Sequence, residues 1–373
     1  TGSMTVTISP SAGTPLNGIA AYGLGTSSCN IGTANLNWIA NSPNHPVIPQ
    51  NMYRLKTVNG STRFEQLGQS WMKFAFTALT YNACNNEGYS CNGQGGSVLG
   101  VGCSDPYTAS RNATQTSLGP RYTTNPFTGA FPDGTSAWRT ANWPATVNAL
   151  SKRLQVAVAD MDPANNAGAL YFGEAIYVTP DDAAAGNGAN NASYRRITIT
   201  PSTWVLTLVD STQRRKAAIN AWKDCGLGIG QPDPNVMLTD VNALPLDGYV
   251  TVGSKATDLG GGVWHYEYAV ENRNSDRGIG SFTVNFPAGT QISNAEMRMV
   301  LQHSGIAAED ADRNTAWSQT INTSNIAWST NTVYSAATPT LGSYIRWGTM
   351  YNFRFDANVA PTNSGAVSMD YYK

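Results

Sequence analysis

Three histidines and five cysteines limit the chemistry this chain can assemble. A Ser or Cys nucleophile needs a His base and an orienting acid. The phrase GVGCSDPY sets Cys103, Ser104 and Asp105 side by side, and His45 would have to fold onto them. No G-x-S-x-G elbow occurs, and the Cys-Ser-Asp run lacks the strand-turn-helix setting of one, so a structural loop is the simpler reading. A catalytic zinc or copper site draws on two or three His. His265 and His303 lie far along the chain from His45, which favours three separate core or surface histidines. Hard oxygen ligands for a structural calcium are available from Asp160, Asp162 and Asn165 in one turn and from Asp181 and Asp182 in another. Neither turn matches an EF-hand loop, and Asp and Asn in such turns also satisfy their own backbone. Glycoside cleavage would need two carboxylates across a cleft, for which Glu65, Glu174 and Glu267 are candidates. Ten Trp and seventeen Tyr could line a sugar-stacking surface, although aromatics at alternating strand positions are mostly core. Sequons at Asn59, Asn112, Asn191 and Asn322 carry weight only in a host that glycosylates.

The elements that must position these groups begin with residues 64–79. There Phe64, Leu67, Trp71, Phe74, Ala75, Ala78 and Leu79 recur at three and four, a spacing that predicts a helix lying against a sheet. A glycine-rich loop follows, with Gly88, Gly93, Gly95, Gly96, Gly100 and Gly102 around Cys84, Cys91 and Cys103. A loop so poor in apolar residues needs cross-links to hold one shape. The preferred pairing is a local Cys84 to Cys91 bridge and a longer one from Cys103 to Cys29, with Cys225 left over; other pairings, and five buried thiols, stay open. No C-x-x-C pair exists, so zinc-ribbon and thioredoxin-like readings lack their spacing.

Charged residues are 13% of the chain, about half the roughly 25% of ordinary soluble domains. Asn, Thr, Ser and Gly fill the difference, a balance that suits an exported surface, matrix or filament protein. The 23 basic and 24 acidic residues leave no net field to attract nucleic acid or an anionic membrane. No run of about 18 apolar residues predicts a membrane span. The opening TGSMTVTISP lacks the charged and apolar regions of an export signal, which is expected to be already removed or outside this stretch.

A length of 373 residues accommodates two domains. The pattern predicts a mainly-β protein. An irregular, disulfide-stapled, β-rich domain with one or two helices covers residues 1–230, a Pro- and Asp-rich linker covers 231–245, and an antiparallel β-sandwich of immunoglobulin-like type covers 246–373. Residues 4–8 alternate as a strand that completes its own sheet or, by strand addition, polymerises subunits. Residues 154–158, 170–178, 194–200 and 204–209 read as strands. Asp210 with Gln213 reads as a helix N-cap pair before Ala217, Ala218, Ile219 and Trp222. Beyond residue 246 the texture is nearly pure strand, with VWHYEYAVEN alternating Trp264, Tyr266, Tyr268 and Val270 against His265, Glu267, Ala269 and Glu271.

The phrases GTSSCNIGTANLNW, HPVIPQNMYRL, RFEQLGQSWMKFAF, LGVGCSDPY, NNASYRR and RWGTMYNFRFDA span most of the chain. It resembles, through them, a family of secreted proteins of unassigned function from environmental, planctomycete-like bacteria. The resemblance implies export and no activity. In that family's pattern His often follows the Lys of SWMK, whereas this chain has Phe74, which puts in doubt any metal site pairing that position with His45. The leading expectation is a structural or interaction role without catalysis, with self-assembly or glycans as partners. The alternative is a carbohydrate-active or metal-dependent enzyme using His45, Glu65 and Cys103.

Overall fold

The computed structural model describes residues 2–3, 15–74, 76–84, 88–131, 135–242, 244–303, 306–362 and 365–373. The fold is mainly β, with 40% of residues in strands. Two compact units divide it. Unit 1 comprises Thr1–Arg54, Leu67–Ala218 and His303–Gly305, and unit 2 comprises Leu55–Gln66, Ile219–Gln302 and Ile306–Lys373. The expected strand at residues 4–8 lies outside the described residues.

In unit 1 the strands Val205–Leu208, Ala192–Thr200 and Leu170–Ile176 lie side by side in that order, followed by Gln50–Val58 as far as Arg54; the hairpin Leu55–Gln66, which leads into the strand Ser61–Gln69, belongs to unit 2. Residues 64–74 and 76–79 are therefore not a helix. They include the last six residues of the strand Ser61–Gln69 and the short strand Met72–Lys73. Asn59 and Gly60, both at positive φ, close the turn into that strand from Gln50–Val58. Such a turn matches the right-handed twist of the two strands it joins. All nine residues of Ser61–Gln69 are buried, so polar and apolar side chains alike face protein and no polar stripe marks an outer face. The core gathers Tyr22, Leu24, Trp38, Met52, Leu154 and Ile197.

The disulfides are Cys29–Cys84 and Cys91–Cys103, which corrects the expected pairing. Backbone register explains the exchange. Thr26–Cys29 pairs antiparallel with Ser104–Tyr107 so that Cys29 faces Ser104, and Cys103 is carried past to hydrogen-bond Asn30. Asn92 N–H donates to the Val101 carbonyl, laying the two arms of the glycine loop together and setting Cys91 beside Cys103 with Cα atoms 4.1 Å apart. Gly102 makes this possible. Its φ is +73°, and a Cβ there would lie 2.0 Å from the Ser90 carbonyl oxygen. Cys225 stands outside both bridges, half-buried.

The irregular stretch after residue 107 is held by packing. Arg121 is buried and donates to the carbonyls of Ser70 and Gln50 and to Asn51 Oδ1. Asp210 caps no helix: it turns the chain at φ +58° and pairs with Arg196 at 2.6 Å, while the helix that follows is only Asn220–Asp224.

Unit 2 is a β-sandwich. One sheet runs Met237–Val241, Val250–Gly260, Val263–Asn272, Thr349–Ala357, Ile292–Arg298; the other runs Ser318–Ile321, Asn325–Ser329, Ile279–Asn285, Val367–Tyr371. Val270, Phe353 and Phe355 from the first meet Phe282, Ile326 and Trp328 from the second, with Phe282 and Phe353 stacked at 4.7 Å. Residues 231–245 are no spacer, because Met237–Val241 is an edge strand of the sandwich.

Candidate functional site

Among the described residues, buried ionisable side chains gather in both units, and two groups of them include the residue types that could do chemistry. In unit 1, Lys73 and Asp105 lie among aromatic rings. Lys73 is fixed through its backbone, which exchanges hydrogen bonds with Ile48. Its Nζ lies 3.0 Å from the centroid of the Tyr107 ring and 4.3 Å from that of Phe76, and has no hydrogen-bond partner. Burial pushes the ammonium down to about 6, with Asp105 pulling it partly back. Asp105 is fully buried, opposite Ser28 in the strand register. Its Oδ1 accepts from the Leu79 N–H at 2.8 Å, and its Oδ2 has no partner. Burial raises this carboxyl to about 7, against the pull of that N–H, of Lys73 and of the nearby Trp38 indole N–H.

His45, with no exposed surface, stands edge-on to Phe131, Phe74 and Phe76 at 5.3, 5.6 and 6.0 Å. Burial pushes its imidazole down to about 4. Phe74 packs on Trp143 as well, so the ring cluster seals His45 away from solvent. The nucleophile reading does not assemble around it. Cys103 is tied to Cys91, and the Ser104 hydroxyl accepts from the Ala83 N–H at 3.0 Å.

The unit 2 cluster lies on Val263–Asn272 and Thr349–Ala357, with Arg63 and Glu65 added from the Ser61–Gln69 strand. Alternation puts Arg63 and Glu65 on one side of that strand and His265 and Glu267 on one side of theirs. Glu267 pairs with Arg63 at 2.7 Å and with Arg354 at 3.4 Å. Arg354 also reaches Glu65 at 3.1 Å and Glu296 at 3.2 Å. His265 bridges Glu267 at 3.0 Å and Asp356 at 2.5 Å. Burial opposes its charged form, but the hydrogen bonds to the two carboxylates outweigh burial and raise it.

The paired carboxylates Glu65 and Glu267 are thus brought together, though each is almost wholly buried and faces guanidinium groups rather than a cleft. Glu174 sits elsewhere, accepting from Asn51, Tyr53 and the Ala218 N–H. Glu65 belongs to unit 2, whereas His45 and Cys103 belong to unit 1, so the three do not build one site within either unit. The histidines have separate surroundings: His303 Nε2 donates to the Gln69 carbonyl at 2.7 Å, away from the aromatic cage of His45 and the acidic clamp of His265.

The four carboxylates expected to hold calcium, those of Asp160, Asp162, Asp181 and Asp182, are engaged within the protein. Asp160 pairs with Arg54 at 3.1 Å, Asp162 accepts from the Ala164 N–H, and the Asn165 N–H donates to the Asp162 carbonyl. Asp181 accepts from the Asn37 backbone and side chain, and Asp182 from Asn191. Among the described residues no group of three or more His, Cys, Asp or Glu is arranged to hold a metal. Asn112 and Asn191 are buried hydrogen-bond donors, which leaves Asn59 and Asn322 as the exposed sequons.

Sequence reasoning passed over Lys73, Arg63, Arg354 and Asp356. A lone Lys inside the apolar run WMKFAF was the available signal for the first. No family model matches this chain, and no curated protein matches it.

Proposed function

We propose that this chain is an exported, non-catalytic structural or interaction protein, a subunit of a surface, matrix or filament assembly. One observation supports this reading above others: the residue types that could catalyse are placed where they hold the fold. Cys103 is cross-linked, His45 is caged, and Glu65 and Glu267 are paired with buried arginines. Two disulfides favour an oxidising compartment. No helix of the described residues is long and apolar enough to cross a membrane. The edge strand Ser318–Ile321, exposed at all four residues, leaves backbone groups available for pairing with another chain.

Mass photometry from nanomolar to micromolar protein, followed by electron microscopy of native material, tests it. Concentration-dependent oligomers or filaments are expected. Strictly monomeric particles at high concentration, together with a stoichiometric transition metal or turnover on a polysaccharide panel, would replace this reading with the enzymatic one.

A further inference from the structure

Lys73 and Asp105 have no role in the reading above, and their surroundings explain neither as a lone charge. Asp105 and Tyr107 are two residues apart on one strand and so project from the same face. The amine of Lys73 rests on the Tyr107 ring, while its Nζ and the Oδ2 of Asp105 both lack hydrogen-bond partners. Proteins bury such groups when they are paired, and here the rings of Phe76 and Tyr107 lie against the amine and that of Trp38 lies beside the carboxyl. An amide would remove both latent charges, expel the unpartnered Oδ2 as water and leave a single N–H in place of the ammonium.

We propose that, after folding, Lys73 and Asp105 become joined by an intramolecular amide between the lysine Nζ and the aspartate Cγ. The neutral amine attacks the neutral carboxylic acid. An N–C bond forms, a C–OH bond breaks, and the hydroxyl leaves as water with a proton from the nitrogen. Nothing is oxidised or reduced, and no co-reactant is consumed. Burial prepares both partners: with the amine lowered to about 6 and the acid raised to about 7, the free base and the protonated acid coexist near neutral pH. Nζ sits on the Tyr107 ring rather than in an ion pair with the carboxylate, so the flexible end of Lys73 must swing off the ring to react. Exclusion of water by the rings then opposes hydrolysis. The product is a third cross-link, enclosing residues 73–105 and both arms of the glycine loop.

The test is the intact mass of the full chain after denaturation, reduction and alkylation. The wild-type protein is expected one water light, about 18 Da, with a branched tryptic peptide joining residues 73 and 105. Asp105→Ala is expected at its full mass, and Asp105→Asn one ammonia light instead, about 17 Da, because the leaving group changes. A wild-type chain at its full mass, or a deficit that maps to a succinimide elsewhere, overturns the proposal. Wild-type mass and peptide map decide the matter even if a variant fails to fold.

Discussion

His45 makes acid the solvent condition to which unit 1 should respond. Its imidazole is pushed down to about 4 by burial, from an ordinary value of 6.5. Between those two pH values the unfolded chain binds a proton at this position that the folded chain does not, so stability is full above about 6.5 and falls as pH drops toward 4. Over that window one such group removes at most about 3 kcal/mol. His45→Gln removes the titration, so the stability gap between wild type and variant should narrow by that order from pH 7 to pH 4 in urea unfolding. A gap that stays constant would mean the imidazole protonates in place. Little of this was legible beforehand. His45 stood out by type, but the rings that set its behaviour come from Phe74, Phe76 and Phe131, brought together by tertiary structure. Lys73 was hidden for the opposite reason: a lysine between Met72 and Phe74 reads as a solvated interruption, whereas the short strand and the Tyr107 ring hold it inside.

At the level of elements, the two bridges lock different lengths of chain, and the entropy removed from the unfolded state grows only with the logarithm of the loop. Cys91–Cys103 spans 12 residues and Cys29–Cys84 spans 55. Replacing the first pair by Ser should therefore cost about 3 kcal/mol and the second about 4 kcal/mol. Urea midpoints of the two double variants check this; a short-loop variant as stable as wild type would show that the Asn92 to Val101 pairing and Gly102 hold that turn without sulfur. That four cysteines would staple the glycine loop was legible from composition, but the pairing was not, because register rather than proximity in sequence decides which sulfurs meet. The strands read at residues 154–158, 170–178, 194–200 and 263–272 are present as Leu154–Ala157, Leu170–Ile176, Ala192–Thr200 and Val263–Asn272, the last of them legible from its alternation. The false helix at 64–79 arose because a strand buried on both faces loses its period of two. The Asn59-Gly60 pair between two runs was the competing signal, and it names a hairpin.

On the scale of the whole molecule, chain order and folding unit do not coincide. Unit 2 takes Leu55–Gln66 from the first fifth of the sequence, and with it Arg63 and Glu65. A boundary near residue 231 follows the change in texture but would leave the sandwich without this hairpin. Glu267 would then lose its 2.7 Å partner Arg63, and Arg354 would lose Glu65; the Phe64 carbonyl, which accepts from Asn352 Nδ2, and the Gln66 side chain, which bonds the backbone of Gly348 and Met350, would go as well. Removing one member of a buried charged pair costs about 3–5 kcal/mol, comparable to the whole stability of a marginal domain. A fragment of residues 219–373 alone should therefore unfold non-cooperatively or aggregate. Adding a peptide of residues 55–66 in trans should restore a sigmoidal urea transition, and the same peptide carrying Arg63→Met and Glu65→Gln should restore much less of it. Equal rescue by both peptides would shift the stabilisation from the ionic layer to the backbone and amide contacts of Phe64 and Gln66, while a fragment stable without any peptide would make the sandwich independent of the hairpin.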